Sequence, residues 1–153
     1  GGSADYDDAL KAALKSPGLP VMALYEELAI ADIRDAADVL RPVFDETRGD
    51  DGYVSLEVSP YLANDAEGTS AEARRLWKEV GRDNLMGKVP ATDAGLPAIR
   101  TLIGDGININ VTLLFAQDVY EAVANAYLDG LETLAKNGGD VAKVASVASF
   151  FAP

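Results

Sequence analysis

A single lysine stands inside an apolar run that otherwise reads as a buried parallel strand. This residue, Lys88, lies in the segment Asn84-Leu85-Met86-Gly87-Lys88-Val89. A buried ammonium group is costly unless it is paired or loses its proton. A lowered pKa is also what a lysine amine needs in order to attack a carbonyl carbon. The segment therefore predicts Schiff-base chemistry at Lys88.

A carboxylate, Glu57, lies between Leu56 and Val58 near the end of the preceding predicted strand. It could serve as a general acid/base for imine formation, directly or through one water molecule. It could equally form a structural ion pair with Lys88. Buried ion pairs seldom add stability, which favours a functional site, but the residues alone leave both interpretations open.

The later strands carry further polar side chains. Asn110 and Thr112 share one face of a strand by its two-residue period, so an amide and a hydroxyl could orient substrate hydroxyls or a catalytic water. Ser149 stands in the last predicted strand. Ordinary hydrogen-bonded residues of a sheet interior would have the same appearance, and this alternative stays open for all three.

The segments that would position these residues alternate between patterns typical of strands and patterns typical of helices. Short runs rich in β-branched residues predict strands over 53–58, 85–89, 107–115 and 144–150. Three- and four-residue apolar spacing predicts helices over 70–80, 93–103 and 117–136. Two more helices are predicted ahead of them, over 5–15 and 21–47, and Pro42 is expected to kink or divide the second.

This alternation predicts an α/β fold with a parallel sheet, because each pair of strands is separated by one crossover helix. We expect a single domain over residues 1–153, with a helical lead-in at 1–50 and four βα-type units at 51–153. No glycine-rich nucleotide motif supports an open doubly wound sheet. A complete (β/α)8 barrel needs about 250 residues, so four strands indicate about half of one.

Composition excludes several classes of function. The chain has 25 acidic against 13 basic residues, a net charge of −12, which disfavours nucleic acid and anionic membrane partners. It has no cysteine and no histidine, which removes thiol and serine–histidine catalysis, and no convincing metal-ligand set. No signal peptide or membrane span is evident, so we expect a cytoplasmic protein.

Four other residues have simple structural interpretations. Thr92 or Asp93 is expected to cap the helix after the second strand. Trp77 and Tyr25 lie on apolar helical stripes, so both are expected to pack in the core rather than to stack on a ligand.

Several segments of the chain resemble the transaldolases. N-L-M-G-K-V-P-A-T at 84–92 is similar to the N-L-M-I-K-[IV]-P-A-T strand that carries the Schiff-base lysine of that family. Other transaldolase-like segments follow in the family's order: Y-V-S-L-E-V-S-P at 53–60, G-L-P-A-I at 95–99, N-V-T-L-L-F at 110–115 and V-A-S-V-A-S-F-F at 144–151. The resemblance covers essentially the whole chain.

The resemblance implies a long bacterial-type, class I aldolase mechanism with no metal or organic cofactor. Lys88 would be the nucleophile, Glu57 the acid/base acting through water, Thr112 a support for that water and proton transfer, and Asn110 and Ser149 substrate-binding residues. The reaction would move a dihydroxyacetone unit between sugar phosphates of the pentose phosphate pathway. Sedoheptulose 7-phosphate, fructose 6-phosphate and erythrose 4-phosphate are the implied substrates.

The resemblance also has departures. It covers the third to sixth strands of the family's barrel and lacks the first-strand aspartate, the T-S-N-P-T loop and the phosphate-binding arginine. Gly87 replaces an isoleucine, which predicts a cavity of one large side chain. An open half barrel exposes two strand edges and an apolar face, so we expect a homo-oligomer or association with the missing half. The alternative function is a non-catalytic, self-associating half-barrel fragment.

Overall fold

The computed structural model describes residues 4–13, 18 and 20–150. Helices α1 (Asp7–Ala13) and α2 (Val21–Glu46) come first. Strand and helix then alternate through β1 (Val54–Glu57), α3 (Ala66–Val80), β2 (Leu85–Pro90), α4 (Gly95–Gly104), β3 (Ile109–Leu114), α5 (Gln117–Lys136) and β4 (Ser146–Phe150). The predicted order of elements is confirmed. Residues 14 and 15, the last two of the helix predicted over 5–15, lie outside the described residues.

The four strands form one parallel sheet in the order β1-β2-β3-β4. Because parallel crossovers are right-handed, strands added in sequence order place every connecting helix on the same face of the sheet. A doubly wound sheet would instead reverse its strand order and carry helices on both faces. The architecture is therefore that of a partial (β/α) barrel, as predicted.

The hydrophobic core lies between the sheet and its helices. Alternate strand residues point towards the helices and are almost fully buried, among them Leu85, Val89, Ile109 and Val111. Val89, Ile109 and Val111 pack against α3, α4 and α5 through Ala73, Ile99, Leu102, Ile103 and Val123. Leu85 packs in a second cluster, with Leu76 and Val80 of α3 and Ile30 of α2. No helix among the described residues covers the other face of the strands. Side chains that alternate with the core residues therefore line an open, concave face.

A bulge interrupts β3 just after Thr112. The pairing register with β4 shifts between Val111 and Leu114, and Leu113 has a φ of 61°. The extra residue leaves Leu113 exposed and returns Leu114 to the core at 0 % exposure. The two-residue alternation is thereby preserved up to Thr112 and reset beyond it.

Helix α2 differs from its prediction in two respects. It runs through Pro42 as one helix, so the proline does not divide it. Tyr25 is 65 % exposed and does not pack in the core, because the core face of α2 is formed by Ile30 and Ala37. Trp77 of α3 does pack against the core, as expected.

The cavity predicted at Gly87 is not present. A Cβ atom placed on Gly87 would lie 3.5 Å from the Ile109 Cδ1 atom, 3.8 Å from the Asn108 carbonyl oxygen and 4.0 Å from the Ala73 Cβ atom. These are ordinary van der Waals distances, so the space beyond Gly87 is already filled. The Ile109 side chain and α3 occupy the volume that an isoleucine at position 87 would need.

Two helix starts are set by side-chain caps. Asp65 accepts a hydrogen bond from the Gly68 N–H at 2.9 Å, and α3 consequently begins at Ala66 rather than near Ser70. The Thr92 hydroxyl accepts a hydrogen bond from the Gly95 N–H at 2.9 Å, at the start of α4. Ala94 directly precedes α4 and forms no side-chain capping bond, whereas Thr92, three residues before Gly95, accepts the Gly95 N–H as the predicted cap would.

Candidate active site

A row of polar side chains lines the concave face of the sheet. By the alternation of strand side chains, it includes residues from all four strands: Ser55 and Glu57 on β1, Lys88 on β2, Asn110 on β3 and Ser149 on β4. We call these five residues the polar wall. The concave face is therefore mixed: this row is polar, while Met86 of β2 and the exposed Val147 of β4 are apolar side chains on the same face.

Lys88 and Glu57 are neighbours across adjacent parallel strands. Their Cα atoms are register partners, and the Lys88 Nζ atom lies 3.7 Å from a Glu57 carboxylate oxygen, Oε2. The lysine side chain is 35 % exposed and the glutamate side chain 56 % exposed. The expectation of a buried ammonium is wrong, because Lys88 points to the open concave face while Gly87 and Val89 take the helix side. The amine is accessible to a substrate.

Asn110 connects the outer strands of the polar wall. Its Nδ2 atom donates a hydrogen bond to the Ser55 hydroxyl oxygen at 3.0 Å. Its Oδ1 atom accepts one from the Ser149 hydroxyl at 2.7 Å. Asn110 is also the register partner of Lys88 on β2, which places this amide beside the lysine along the sheet.

Ser55 was missed by the sequence analysis. The available signal was its spacing of two residues from Glu57, which puts both side chains on one face of β1. That signal was weak because a strand serine is common, and only the bond to Asn110 distinguishes it.

Thr112 lies on the same face of β3 as Asn110 but takes no part in its hydrogen bonds. Its Cα atom pairs with that of Pro90, one step beyond Lys88 on the same face of β2. The residue is 4 % exposed, and its hydroxyl has no hydrogen-bond partner among the described residues. Thr112 therefore offers a free, buried hydroxyl next to the polar wall.

A hydrogen bond links the loop that follows β1 to the loop that follows β2, at the carboxyl end of the sheet. The Thr92 hydroxyl that caps α4 also donates a hydrogen bond to the Ala63 carbonyl oxygen at 2.5 Å. Catalytic groups of parallel α/β proteins gather at this edge of the sheet. The Thr92–Ala63 bond therefore helps to fix the rim on which Glu57 and Lys88 lie.

The described ranges 4–13, 18 and 20–150 contain neither a metal-binding cluster nor a membrane-spanning helix. No cluster of three or more carboxylates there could hold a metal ion. No helix there has the length and apolar character needed to cross a membrane.

Sequential parallel strands, helices on one face and a lysine in a polar wall define a (β/α)-barrel protein with a candidate lysine active site. The family Transaldolase/Fructose-6-phosphate aldolase matches the chain over residues 1–153. The chain belongs to this family.

Individual relatives show the same likeness. The chain is 49 % identical over 150 residues to Transaldolase 2 of Nostoc punctiforme, an alignment covering 98 % of this chain and 39 % of the relative. It is 50 % identical over 150 residues to the transaldolase of Trichodesmium erythraeum, with the same coverage of 98 % and 39 %. It is 51 % identical over 151 residues to the transaldolase of Parafrankia sp., covering 99 % and 41 %. The chain thus spans about two fifths of the length of these curated relatives.

Proposed function

We propose that this chain carries the Schiff-base lysine and one wall of the active site of a transaldolase. The observation that supports this most directly is the accessible Lys88 amine, 3.7 Å from the Glu57 carboxylate. A nucleophile beside a group that can exchange protons is the arrangement that imine formation requires. A lysine with only a packing role would not need to face the open side of the sheet.

The proposed chemistry begins with the neutral Lys88 amine attacking the carbonyl carbon of a ketose phosphate. A C–N bond forms, the carbonyl oxygen becomes a hydroxyl, and this hydroxyl leaves as water to give the imine. Glu57 supplies and removes protons through an intervening water, and the buried Thr112 hydroxyl holds that water. Each proton that the amine loses is returned when the product imine is hydrolysed.

Asn110 and Ser149, two other residues of the polar wall, orient the substrate. Asn110 and Ser149 would exchange part of their mutual hydrogen bonding for bonds to substrate hydroxyls. The donor is a ketose phosphate such as fructose 6-phosphate or sedoheptulose 7-phosphate, and erythrose 4-phosphate is an acceptor. The transferred unit is dihydroxyacetone: cleavage of the C3–C4 bond of the donor imine releases an aldose phosphate and leaves the three-carbon unit on Lys88 as an enamine. This carbanion equivalent forms a new C–C bond to the acceptor aldehyde, whose oxygen takes up a proton, before hydrolysis frees the lysine. We infer that full turnover requires the additional barrel segments that the longer relatives carry.

Borohydride trapping tests the central step. The protein is incubated with fructose 6-phosphate, the imine is reduced, and the modified peptide is identified by mass spectrometry. We expect the adduct on Lys88 and its loss in Lys88→Ala. Lys78→Ala is the matched control, because Lys78 is an exposed lysine on α3, away from the wall. Its adduct yield should equal that of the parent chain.

Two results would contradict the proposal. One is labelling that persists in Lys88→Ala at the level of the parent chain, which would indicate non-specific reaction with surface lysines. The other is the absence of any adduct when an intact transaldolase is labelled in a parallel reaction.

A further inference from the structure

The Thr92 hydroxyl forms two hydrogen bonds that differ in what they join. It accepts the Gly95 N–H at 2.9 Å, a bond within its own βα unit. It donates its proton to the Ala63 carbonyl oxygen at 2.5 Å, in the loop after β1. A hydroxyl has a single proton to donate, so the bond to Ala63 uses it. The first bond caps a helix, and the second joins two neighbouring units of the fold.

The loop after β1 is otherwise attached to its own helix, α3. The Thr69 hydroxyl donates a hydrogen bond to the Leu62 carbonyl oxygen at 2.9 Å, and Thr69 is buried. The Glu72 carboxylate accepts the Ser59 N–H at 3.2 Å. Both of these side chains belong to α3. The loop over 59–63 is therefore held to α3 as one body.

The Thr92–Ala63 bond lies beyond the point where β1 and β2 stop pairing. At that point the Val58 N–H donates to the Lys88 carbonyl oxygen at 3.2 Å. Within the part of the chain that the structure describes, no other hydrogen bond joins the two loops beyond the strands. Strand β1 is four residues long and Glu57 is its last residue. Because strand ends open more easily than strand centres, the position of Glu57 depends on this bond.

The segment that carries Thr92 is itself fixed on its other sides. The Ala91 N–H donates a hydrogen bond to the Thr112 carbonyl oxygen of β3 at 2.9 Å. A Cβ atom on Gly95 would overlap the Pro90 carbonyl oxygen, so the first turn of α4 packs directly on the end of β2. The hydroxyl of Thr92 is therefore a fixed point to which the loop after β1 is attached.

We propose that Thr92 is a positioning residue for imine formation at Lys88. Its bond to Ala63 holds the carboxyl end of β1 close to β2. Glu57 then stays within reach of the water through which it exchanges protons with the lysine amine. Thr92 acts through Glu57 and not on the substrate. This inference rests on the proposed function of Lys88 and Glu57.

Thr92→Val tests the inference, because it keeps the shape of the side chain and removes the hydroxyl. The rate of borohydride-trapped adduct on Lys88 is measured against fructose 6-phosphate concentration. We expect the saturating rate to fall about ten-fold or more, since misplacement of a reacting group is costly, and the half-saturating concentration to change less than about two-fold. Thr92→Ser retains a hydroxyl for both bonds and should restore the saturating rate.

Thr92→Asp separates the two hydrogen bonds. An aspartate can accept the Gly95 N–H as a helix cap, but its carboxylate has no proton to donate to the Ala63 carbonyl oxygen. We expect this variant to keep the cap of α4 and to trap adduct as slowly as Thr92→Val. Circular dichroism checks that each variant is folded, and Thr92→Asp carries the test if Thr92→Val is not.

Thr47→Val is the matched control. The Thr47 hydroxyl likewise donates to a carbonyl oxygen, that of Val43 at 2.8 Å, and accepts a backbone N–H, that of Asp51 at 3.1 Å. Thr47 directly follows α2 and precedes β1, so it lies at the amino end of the sheet. Its loss should leave the saturating rate of adduct formation unchanged.

A double-mutant cycle with Glu57→Gln distinguishes positioning from a purely structural role. If Thr92 acts through the Glu57 carboxylate, Thr92→Val should have little effect once that carboxylate is gone, less than about two-fold on the saturating rate. A hydroxyl that only stabilised the fold would slow both backgrounds by the same factor.

The outcomes separate this inference from the function on which it rests. A parent-like rate in Thr92→Val or Thr92→Asp, equal slowing in Thr47→Val, or undiminished slowing in the Glu57→Gln background would overturn the positioning role alone. The absence of any adduct on Lys88 in the parent chain would overturn the proposed function, and the positioning role with it.

Discussion

The Asn110 amide nitrogen lies 3.0 Å from the Ser55 hydroxyl oxygen, so a side chain of β3 reaches one of β1 across the intervening strand. The oxygen of the same amide accepts a hydrogen bond from the Ser149 hydroxyl of β4 at 2.7 Å. One residue therefore joins three strands of the concave face. We expect Asn110→Ala to lower the free energy of unfolding by about 1–3 kcal/mol, because it leaves two hydroxyls unpaired.

Urea denaturation measures this effect. Asn125→Ala is the control, since Asn125 is an asparagine exposed on α5, and it should change stability far less. An equal loss in the two variants would mean that the Asn110 bonds contribute nothing specific to the sheet.

Glu57→Gln separates the two interpretations of the Lys88–Glu57 pair. Both side chains are substantially exposed, so the ion pair should contribute less than about 1 kcal/mol to stability. The loss of a proton-transfer group should slow imine formation about 10²-fold, measured as the rate of borohydride-trapped adduct. Glu67→Gln, on exposed α3 surface, should leave that rate unchanged. A large loss of stability with a normal trapping rate would favour the structural ion pair instead.

Thr112→Val should move stability and reactivity in opposite directions. The substitution removes a buried hydroxyl that has no partner in the described part of the chain, so unfolding free energy should stay constant or rise by about 1 kcal/mol. If the hydroxyl holds the water used by Glu57, adduct formation should slow. Thr101→Val on exposed α4 surface is the control. Unchanged trapping in Thr112→Val would remove Thr112 from the reaction.

Position 87 should accept a small side chain but not a large one. The ordinary contact distances around Gly87 leave room for one methyl group, and glycine weakens a strand interior. Gly87→Ala should therefore raise unfolding free energy by about 0.5–1 kcal/mol. Gly87→Ile should lower it by about 1–3 kcal/mol through overpacking against Ile109. Equal stability of the two variants in urea would show that the core rearranges around the larger side chain.

The contact between α2 and Arg82, two residues beyond the end of α3, should weaken in acid. Hydrogen bonds from Arg82 lower the pKa of Asp38, so the folded chain binds this proton less readily than the unfolded chain. The contribution is present above the unfolded pKa of about 3.9 and is lost as pH falls through the lower folded pKa. Asp38→Asn should therefore flatten the decline of stability with falling pH. Urea denaturation at several pH values measures it, with exposed Asp93→Asn as the control; equal slopes would contradict the prediction.

Much of the fold could be predicted because its signals are local. The bounds of α5 agree with the predicted range 117–136, since a long apolar stripe of helical period leaves little ambiguity. The strands were placed within about two residues of their observed bounds, because short runs rich in β-branched residues are also a local signal. The division considered at Pro42 does not occur, because packing of α2 on α3 and β1 keeps the helix continuous across it.

The sequence by itself determined which residues share a strand face, so Lys88, Glu57 and Asn110 could be assigned to a common site before any contact was known. It could not determine which face stays open, because that depends on where the crossover helices lie. The tertiary structure decided that Lys88 is accessible, that Ser55 belongs to the wall and that Ile109 fills the space beyond Gly87. These features arise between residues distant in sequence, where packing rather than local spacing sets the distances.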